Sequence, residues 1–236
     1  MTDPALRIVV LGSGRMGRSI AALAPSQGFD VLAQFGRQDV ESRRAAVRDR
    51  IAEADVALEF TTPAAAASNI RMCVEAECPV VSGTTGWADR LPAVAAWVKE
   101  RGGALMWAPN YSVGAVALQL LAHKAGQLFA GAAEFDTHVV ETHHAGKLDA
   151  PSGTAIALEA SLGAALGRNS CTTSIRTGHV AGIHKVLIDG PHERLVLRHE
   201  ARSRGVFAEG ALKAAVWLCG RKGVYTMQDL FAEESG

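Results

Sequence analysis

The amino-acid sequence predicts an α/β protein with a parallel sheet in one domain and a mixed sheet in a second, central α+β domain. Short apolar runs alternate with helical patterns up to about residue 110, which is typical of a right-handed parallel sheet. A glycine-rich turn joins the first of these runs to a helix. After about residue 170, three strand patterns follow one another without a helix between them, which favours antiparallel or mixed pairing.

Five apolar runs predict the strands of the first domain. They have the length and composition of strands that are buried on both faces of a parallel sheet. Helical patterns lie between them at residues 41–54, 63–77 and 87–102, and Pro63 suits the first turn of its helix. The five runs are LRIVVLG (6–12), FDVLAQF (29–35), DVALEF (55–60), CPVVSG (78–83) and GALMWAP (103–109).

The pattern changes near residue 110, where the central domain begins. Residues 112–131 have a helical pattern, residues 134–143 alternate like a strand with one buried face, and a helix follows at residues 152–166. The amphipathic run at 205–220 predicts a helix that returns to the first domain. The three consecutive strand patterns between these helices are TTSIRTGHV (172–180), IHKVLIDG (183–190) and ERLVLRHEA (193–201).

The composition narrows the function classes. The chain has 236 residues with 24 basic and 24 acidic side chains, which gives no general reason to bind nucleic acid or an acidic membrane. No segment approaches the roughly 18 apolar residues that span a bilayer, and no signal peptide is evident, so we expect a soluble, cytoplasmic protein. The cysteines lack CxxC spacing, and we expect buried, reduced thiols. They are Cys73, Cys78, Cys171 and Cys219.

The turn after the first strand, Gly12-Ser13-Gly14-Arg15-Met16-Gly17, has the pattern GxGxxG. Glycines allow a tight turn and close approach of the backbone to a ligand. The helix N-terminus that follows offers amide donors and partial positive charge to a pyrophosphate. The turn therefore favours a Rossmann-like, dinucleotide-binding domain over a simple glycine turn.

Arg37 follows the second predicted strand, where NAD-binding proteins usually carry an acidic residue for the ribose 2′-hydroxyl. An arginine at this point can pair with a 2′-phosphate, and Arg15 in the glycine turn could assist. The sequence thus favours NADPH, with NADH also possible. The alternative is that Arg37 only begins a solvated helix.

The stretch ETHHAGKLDAPSGTA, residues 141–155, carries the candidate chemistry. Ser152 is a good N-cap, and Gly153 and Thr154 would begin the helix. The amides of that first turn, with the Ser152 and Thr154 hydroxyls, form a receptor for a carboxylate or phosphate. His144 and Lys147 can add positive charge beside it, so we expect an anionic substrate.

His143 and His144 are adjacent, and adjacent residues of a strand point to opposite faces, so the two rings should have different roles. Imidazole and a neighbouring lysine can each donate a proton. A structural cluster and a metal site stay open as alternatives, and Asp149 would orient or cap. The candidate metal ligands are Glu141, His143, His144 and Asp149. Their spacing matches no recognised metal motif, so we predict no metal.

These residues resemble the 4-hydroxy-tetrahydrodipicolinate reductase (dihydrodipicolinate reductase) family of bacterial lysine and diaminopimelate biosynthesis. The family signature E-x-H-H-x-x-K-x-D-A-P-S-G-T-A matches residues 141–155 at every fixed position. The similarity covers nearly the whole chain. Other similar segments, in the same order, are GRMG (14–17), EFTTP (59–63), GTTGW (83–87), APNYSVG (108–114) and SRGVFAEGALKAAVWL (203–218).

The resemblance implies a dinucleotide-binding domain from residues 1–110 and 206–236, and a substrate-binding and oligomerisation domain from residues 111–205. It also implies a homotetramer. The reaction would be NAD(P)H-dependent reduction of a small cyclic dicarboxylate, 4-hydroxy-tetrahydrodipicolinate. The 4-hydroxyl leaves as water, a hydride adds at C4, and tetrahydrodipicolinate is formed.

The resemblance further implies roles for individual residues. His143 would be the proton donor or its partner, and Lys147 the other essential group. The substrate carboxylates would be held by His144, Lys147, Ser152, Gly153, Thr154 and Arg204. The nicotinamide would be surrounded by Phe60, Thr61, Gly83, Thr84, Thr85, Ala108, Asn110 and Tyr111. These join the dinucleotide candidates from the turn and second strand, Gly12, Gly14, Arg15, Met16, Gly17 and Arg37.

The chain departs from the family pattern at the cofactor end. Its glycine turn is one residue shorter than the usual G-x-x-G-x-x-G, and Gly36 stands where an acidic residue is common. Trp87 and Tyr111 replace phenylalanines and keep an aromatic ring. Two other functions stay open: a dinucleotide sensor that has lost catalysis, and a reductase of another small dicarboxylate or imino acid.

Overall fold

The computed structural model describes residues 5–232 of the chain. They divide into two compact units. The first unit comprises the described residues up to Tyr111 together with those from Phe207 onward, and the second unit is Ser112–Val206. The functions that the sequence assigns to residues 1–110 with 206–236, and to residues 111–205, stay predictions. Within residues 5–232, no helix is both long and apolar enough to cross a membrane.

A six-stranded parallel sheet forms the centre of the first unit. Its strands are β1 (Leu6–Leu11), β2 (Phe29–Phe35), β3 (Val56–Glu59), β4 (Val80–Ser82), β5 (Ala104–Trp107) and β10 (Gly223–Tyr225). Their order across the sheet is β10-β5-β4-β3-β1-β2, and every neighbouring pair is parallel. The order reverses at β1, and open α/β sheets bind ligands at the carboxyl ends of strands beside such a reversal. The predicted Rossmann-like sheet is confirmed.

The helices of the first unit cover a sheet whose strands are largely buried. They are α1 (Arg15–Leu23), α2 (Arg37–Ser42), α3 (Arg44–Ala52), α4 (Pro63–Glu75), α5 (Leu91–Glu100), α8 (Gly205–Leu218, which belongs to this unit from Phe207 onward) and α9 (Asp229–Ala232), with a 3-10 turn at Ala24–Gln27. The largest buried side chains in the core include Leu11, Ile51, Ile70, Trp87 and Leu105. Burial of such side chains from both faces explains why these strands read as continuous apolar runs.

Two helix predictions in the first unit were wrong in detail. The pattern at residues 41–54 is two helices, α2 and α3, because Arg43 between them has φ −134° and ψ 38°, outside the helical region. The pattern at residues 87–102 begins as a helix only at Leu91. Trp87 lies before it, fully buried, and its indole N–H donates to the Thr84 carbonyl at 2.8 Å. Strand β10 was not predicted, since three residues are too short to show a pattern.

The second unit is a four-stranded mixed sheet with two helices. The strands are β6 (Asp136–His143), β7 (Cys171–Arg176), β8 (Gly182–Asp189) and β9 (Arg194–Ala201), in the order β7-β6-β8-β9. β6 is parallel to β7 and antiparallel to β8, which is antiparallel to β9. Helices α6 (Val113–Phe129) and α7 (Gly153–Leu166) pack with β6 and β8 around Val139, Val186 and Ile188. The predicted mixed sheet is confirmed.

Candidate active site

The glycine turn lies between the end of β1 and the start of α1. The Gly12 amide donates to the Phe35 carbonyl at 2.8 Å, and the Phe60 amide donates to the Leu11 carbonyl at 2.8 Å. Gly12 has φ +123°, and a Cβ built on it would lie 2.1 Å from the Phe60 carbonyl oxygen. A Cβ on Gly17 would lie 2.0 Å from the Gly12 oxygen. Both positions therefore require glycine, and the backbone can close tightly around the N-terminus of α1.

A cleft of about 190 Å³ opens beside this turn. It contains five of the residues that the sequence assigns to the dinucleotide: Gly12, Gly14, Arg37, Phe60 and Thr61. Arg15 and Met16 lie in the first turn of α1 and do not line the cleft. The full lining is Gly12, Ser13, Gly14, Gly36, Arg37, Val40, Glu41, Phe60, Thr61, Thr62, Ala65 and Asn69. The glycine turn and Arg37 therefore line the same cleft.

Arg37 is the first residue of α2 and is exposed. Its Nε donates to the Glu41 carboxylate at 2.7 Å, one helical turn further on. That hydrogen bond, with the charge of Glu41, raises the pKa of Arg37. The guanidinium therefore lies at the cleft but is already paired, and an incoming phosphate would share or displace the Glu41 contact.

Glu59, the last residue of β3, is a fully buried carboxylate that sequence reasoning missed. It accepts hydrogen bonds from the hydroxyls of Ser82 at 2.7 Å and Thr84 at 3.1 Å, and also from that of Thr61. The Thr61 amide donates to the Thr84 hydroxyl at 2.8 Å. The network fixes two residues assigned to the nicotinamide, Thr61 and Thr84. An acidic residue at the end of an apolar strand run was the signal that could have revealed it.

Two aromatic side chains, Phe60 and Tyr111, pack beside the Glu59 network in the first unit. The Phe60 and Tyr111 ring centroids are 5.6 Å apart, and the Tyr111 hydroxyl lies 2.9 Å from the Ser82 carbonyl. Burial raises the pKa of Tyr111 well above its usual value. A Cβ on Gly83 would lie 2.1 Å from the Phe60 ring, so this glycine makes room for it. Ala108 is buried, Asn110 is half-buried and Thr85 is exposed.

The candidate catalytic stretch lies in the second unit, between β6 and α7. Ser152 caps α7, since its hydroxyl accepts the Ala155 amide at 3.2 Å, as predicted. Gly153 is exposed and Thr154 is half-buried in the first turn. The Nε2 atom of His144 lies 3.5 Å from Nη2 of Arg204. The structure thus places the predicted His144 and Arg204 together in space.

Lys147 lies in the loop that follows β6. Its Nζ donates to both oxygens of Asp149, at 2.7 and 2.8 Å. This hydrogen bond with Lys147 is the main cause of the lowered pKa of Asp149. The N-cap of α7 is Ser152 and not Asp149, and the orienting role of Asp149 stays a prediction.

Glu141 and His143 form the buried end of the same stretch. His143 is the last residue of β6, and its Nδ1 is hydrogen-bonded to the Glu141 carboxylate. Arg176, at the end of β7, donates from Nη2 to the other Glu141 oxygen at 2.6 Å. Burial raises the pKa of Glu141, but the hydrogen bonds from Arg176, Ser174 and His143 outweigh it and lower the pKa to about 2. Glu141 is therefore an anion at neutral pH.

His184 completes this cluster from β8. Its ring centroid is 5.2 Å from that of His143, and its Nε2 is 3.2 Å from the Ser152 hydroxyl. Burial, followed by the charge of His143, lowers the pKa of His184 to about 4. Burial is also the main cause of the lowered pKa of His143. Sequence reasoning missed Arg176 and His184, because strand register alone brings them to Glu141.

Glu141, His143 and His184 are the three residues in this cluster that could offer ligand atoms to a metal, all within 4.8 Å of one another. His144 and Asp149, the other ligand candidates from the sequence, are not part of that group. The Arg176 guanidinium already neutralises Glu141, and a metal cation would have to displace it. The expectation that no metal binds stays a prediction.

Comparisons with known proteins agree with this geometry. Residues 6–111 match the domain family described as dihydrodipicolinate reductase, N-terminus, and residues 114–231 match its C-terminus. The chain belongs to the dihydrodipicolinate reductase family. The resemblance inferred from the signature at residues 141–155 is confirmed.

Curated relatives of the family are similar over their full length. A 4-hydroxy-tetrahydrodipicolinate reductase from Xylella fastidiosa (strain M12) is 37% identical over 97% of this chain and 99% of the relative. One from Christiangramia forsetii is 32% identical over 97% of this chain and 98% of the relative. The chain is thus an NAD(P)H-dependent oxidoreductase that reduces 4-hydroxy-tetrahydrodipicolinate to tetrahydrodipicolinate in the diaminopimelate route to lysine.

The fold is also found in solved structures. Dipicolinate-bound dihydrodipicolinate reductase from Paenisporosarcina sp. TG-14 matches with a TM-score of 0.81 over 94% of this chain and 97% of that chain. The two sequences are 21% identical, so this likeness concerns the fold.

Proposed function

We propose that this reductase prefers NADPH, holds it in the first unit, and holds a cyclic dicarboxylate substrate in the second unit. The observation that carries the proposal is the stretch from Glu141 to Thr154. It combines two proton-bearing side chains, His143 and Lys147, with a capped helix N-terminus and nearby positive charge. Such a combination suits reduction of an anionic imine, which needs a hydride, a proton and a receptor for carboxylates.

The shape of the first unit supports a bound dinucleotide. Gly12 and Gly17 leave no space for a side chain, so the turn brings its backbone close to a pyrophosphate at the start of α1. The cleft continues to Arg37, whose guanidinium would pair with a 2′-phosphate in place of Glu41. When bound, the nicotinamide would supply the hydride. Glu59 would keep Thr61 and Thr84 in fixed positions beside it.

The second unit supports carboxylate binding at the start of α7. The first turn of a helix leaves amide donors without intrahelical partners, and its dipole favours an anion. His144, Arg204 and Lys147 would add positive charge. Dipicolinate, the ligand named for the solved relative, carries two carboxylates of the kind such a receptor fits.

His143 and Lys147 would handle the proton. After the 4-hydroxyl leaves as water, the hydride adds at C4, and the atom that gains electron density takes up a proton. Two negative charges on the substrate would raise the pKa of His143 and stabilise its protonated form. The Lys147 ammonium, held by Asp149, would serve as the second donor or as a fixed positive charge.

We also propose a homotetramer, in which copies of the chain cover the open face of the mixed sheet. Side chains alternate along a strand, and Val139, Glu141 and His143 are buried on the helix-covered face. The opposite face carries apolar side chains that remain partly or fully exposed: Val140, Ile175, Ile183, Leu187 and Val196. An Ile175→Asp, Val196→Asp variant should have a lower native mass by light scattering; an unchanged mass would contradict this assignment.

Dipicolinate binding tests the substrate site directly. The His144→Asn variant should bind dipicolinate about tenfold more weakly in calorimetric titration, because it loses a charge-assisted contact of about 1.4 kcal/mol. His138→Asn is the matched control, since His138 lies on β6, the strand that ends just before His144, and its ring contacts the Thr173 hydroxyl on β7. Equal affinity of both variants and the wild type would contradict the proposed site.

A further inference from the structure

The Glu141 carboxylate contacts residues from several elements of the second unit, not only its neighbours in the signature. It is fully buried near the end of β6, where the register places Ser174 of β7 and His184 of β8 on either side of it. One oxygen accepts Arg176 at 2.6 Å and the Ser152 amide at 3.4 Å. The other oxygen contacts Nδ1 of His143. Both carboxylate oxygens are therefore occupied by donors.

This contact decides which ring nitrogen of His143 carries hydrogen. A carboxylate that is ionised at neutral pH can only accept, so the shared hydrogen belongs to Nδ1. In the neutral ring Nε2 is then the bare nitrogen, and it gains hydrogen when the imidazole becomes charged. A Cβ on Gly182 would lie 3.1 Å from Nε2, so the glycine leaves that side of the ring uncrowded.

Arg176 extends the arrangement to the loop that carries Lys147. Besides its contact with Glu141, Nη2 donates to the Asp149 main-chain carbonyl at 2.6 Å. The Asp149 carboxylate holds the Lys147 ammonium at 2.7 Å. A single guanidinium thus connects the carboxylate that orients His143 with the residue that orients Lys147.

We propose that Glu141 and Arg176 are positioning residues of the reductase: Glu141 holds His143 as the Nδ1–H tautomer, and Arg176 fixes Glu141 and the Lys147 loop. The inference rests on the proposed roles of His143 and Lys147 in proton transfer. Carboxylates behind catalytic or metal-bound histidines set the tautomer and orientation of the ring in the same way.

The charged groups around His143 predict how the variant responds to pH. Burial is the first cause of its lowered pKa; Glu141 opposes it, whereas Lys147 and Arg176 act with it, and His184 lies against the ring. A Glu141→Gln variant loses the opposing negative charge, so the His143 pKa should fall further. The protonated form would then be lost at lower pH.

The first test is the pH dependence of kcat. Glu141→Gln should lower kcat at neutral pH about 10- to 100-fold and move its decline on the alkaline side to lower pH by about one unit, with KM changed less than about threefold and NADPH affinity unchanged. Glu141→Asp should restore part of kcat. The control is Glu159→Gln, because Glu159 of α7 pairs with Thr172 and has no contact with His143. An alkaline limb that does not move in Glu141→Gln would overturn the proposal.

The second test does not need turnover. Long-range nitrogen–proton correlation spectra of isotope-labelled histidines, with His143 assigned by its loss in His143→Gln, report the tautomer directly. The wild type should show Nδ1–H; an Nε2–H tautomer would overturn the proposal. If the wild type reduced no substrate, the proposed function would fail. The spectrum would still show whether the His143 ring is the Nδ1–H tautomer that the contact with Glu141 requires.

Discussion

Each unit of the molecule contains a fully buried glutamate near the carboxyl end of a strand, and the two carboxyl groups accept hydrogen bonds from different kinds of donor. Glu59 in the first unit is surrounded by hydroxyl donors from Thr61, Ser82 and Thr84. Glu141 in the second unit is paired with the Arg176 guanidinium and an imidazole. The hydroxyl network can keep Thr61 and Thr84 in fixed positions beside a bound cofactor. The charged network also controls where protons reside.

The glycine turn of the first unit and the Glu141 cluster of the second also differ in whether backbone or side chains form them. The glycine turn is built from consecutive residues, and its function depends on the absence of side chains at Gly12 and Gly17. The Glu141 cluster is built from side chains on three strands, and Arg176 reaches Glu141 across 35 positions of sequence. Substitutions in the first region should therefore weaken binding of the dinucleotide, and substitutions in the second should lower kcat.

The largest effect should come from the two proton-bearing residues of the second unit. His143→Gln and Lys147→Ala should each lower kcat about 100- to 10,000-fold, because each removes a group that carries a proton or fixes charge during the reaction. The dissociation constant for NADPH, measured by fluorescence titration, should change less than about twofold. Equal losses of NADPH affinity and turnover would contradict the assignment of dinucleotide binding to the first region and of proton transfer to the second.

The next effect should come from the backbone of the first unit. Gly17→Ala places a methyl group 2.0 Å from the Gly12 carbonyl oxygen, so the turn must open. We expect a loss of about 3 kcal/mol in the free energy of unfolding, measured by chemical denaturation, together with weaker NADPH binding. Gly14→Ala is the control for stability: its Cβ would meet no described atom within 4 Å, and unfolding should be nearly unchanged.

A smaller effect should appear as pH dependence of stability. The pKa of His184 is about 4 in the folded protein, below the value of about 6.5 expected when unfolded. The unfolded chain therefore takes up the proton first, and stability present above pH 6.5 is lost as pH falls towards 4. The loss from His184 alone would be at most about 3 kcal/mol.

Denaturation at neutral and mildly acidic pH measures this loss. His184→Gln should show a shallower decline than the wild type. A decline should remain in that variant, because burial also lowers the pKa values of His143 and His199. Substitution of the exposed His179 by Gln should leave the slope as it is. Parallel curves for the His184 variant and the wild type would show that this imidazole is not buried in its neutral form.

The smallest effect should be cofactor choice. Arg37→Ala should weaken NADPH binding about tenfold, through loss of a charge-assisted contact with the 2′-phosphate, and leave NADH binding nearly unchanged. The comparison variant is Arg43→Ala. Arg43 is an exposed arginine that follows the last residue of α2 and pairs with Asp39 of that helix. If Arg37→Ala weakened both cofactors equally, Arg37 would have no role in recognising the 2′-phosphate.

These contrasts also explain what could be predicted from the sequence. Strands β1 to β5 and the Ser152 cap depend on local patterns, and the predictions agree with the structure to within one or two residues. The short strand β10 and the break at Arg43 lack a local pattern. Arg176 and His184 could not be assigned, because their approach to Glu141 depends on the register of strands that are distant in sequence. The family signature supplied His143 and Lys147 together with Glu141 and Asp149, which contact them, but not Arg176, which joins those two residues.

The most direct test of the account is oxidation of NADPH, and separately of NADH, by the wild-type protein. The substrate would be generated in situ from pyruvate and aspartate semialdehyde by the preceding synthase, and loss of reduced-nicotinamide absorbance would be followed. We expect substrate-dependent oxidation that is more efficient with NADPH. If both cofactors bound but neither was consumed, the result would contradict reduction of this substrate and favour a dinucleotide sensor or a reductase of another dicarboxylate.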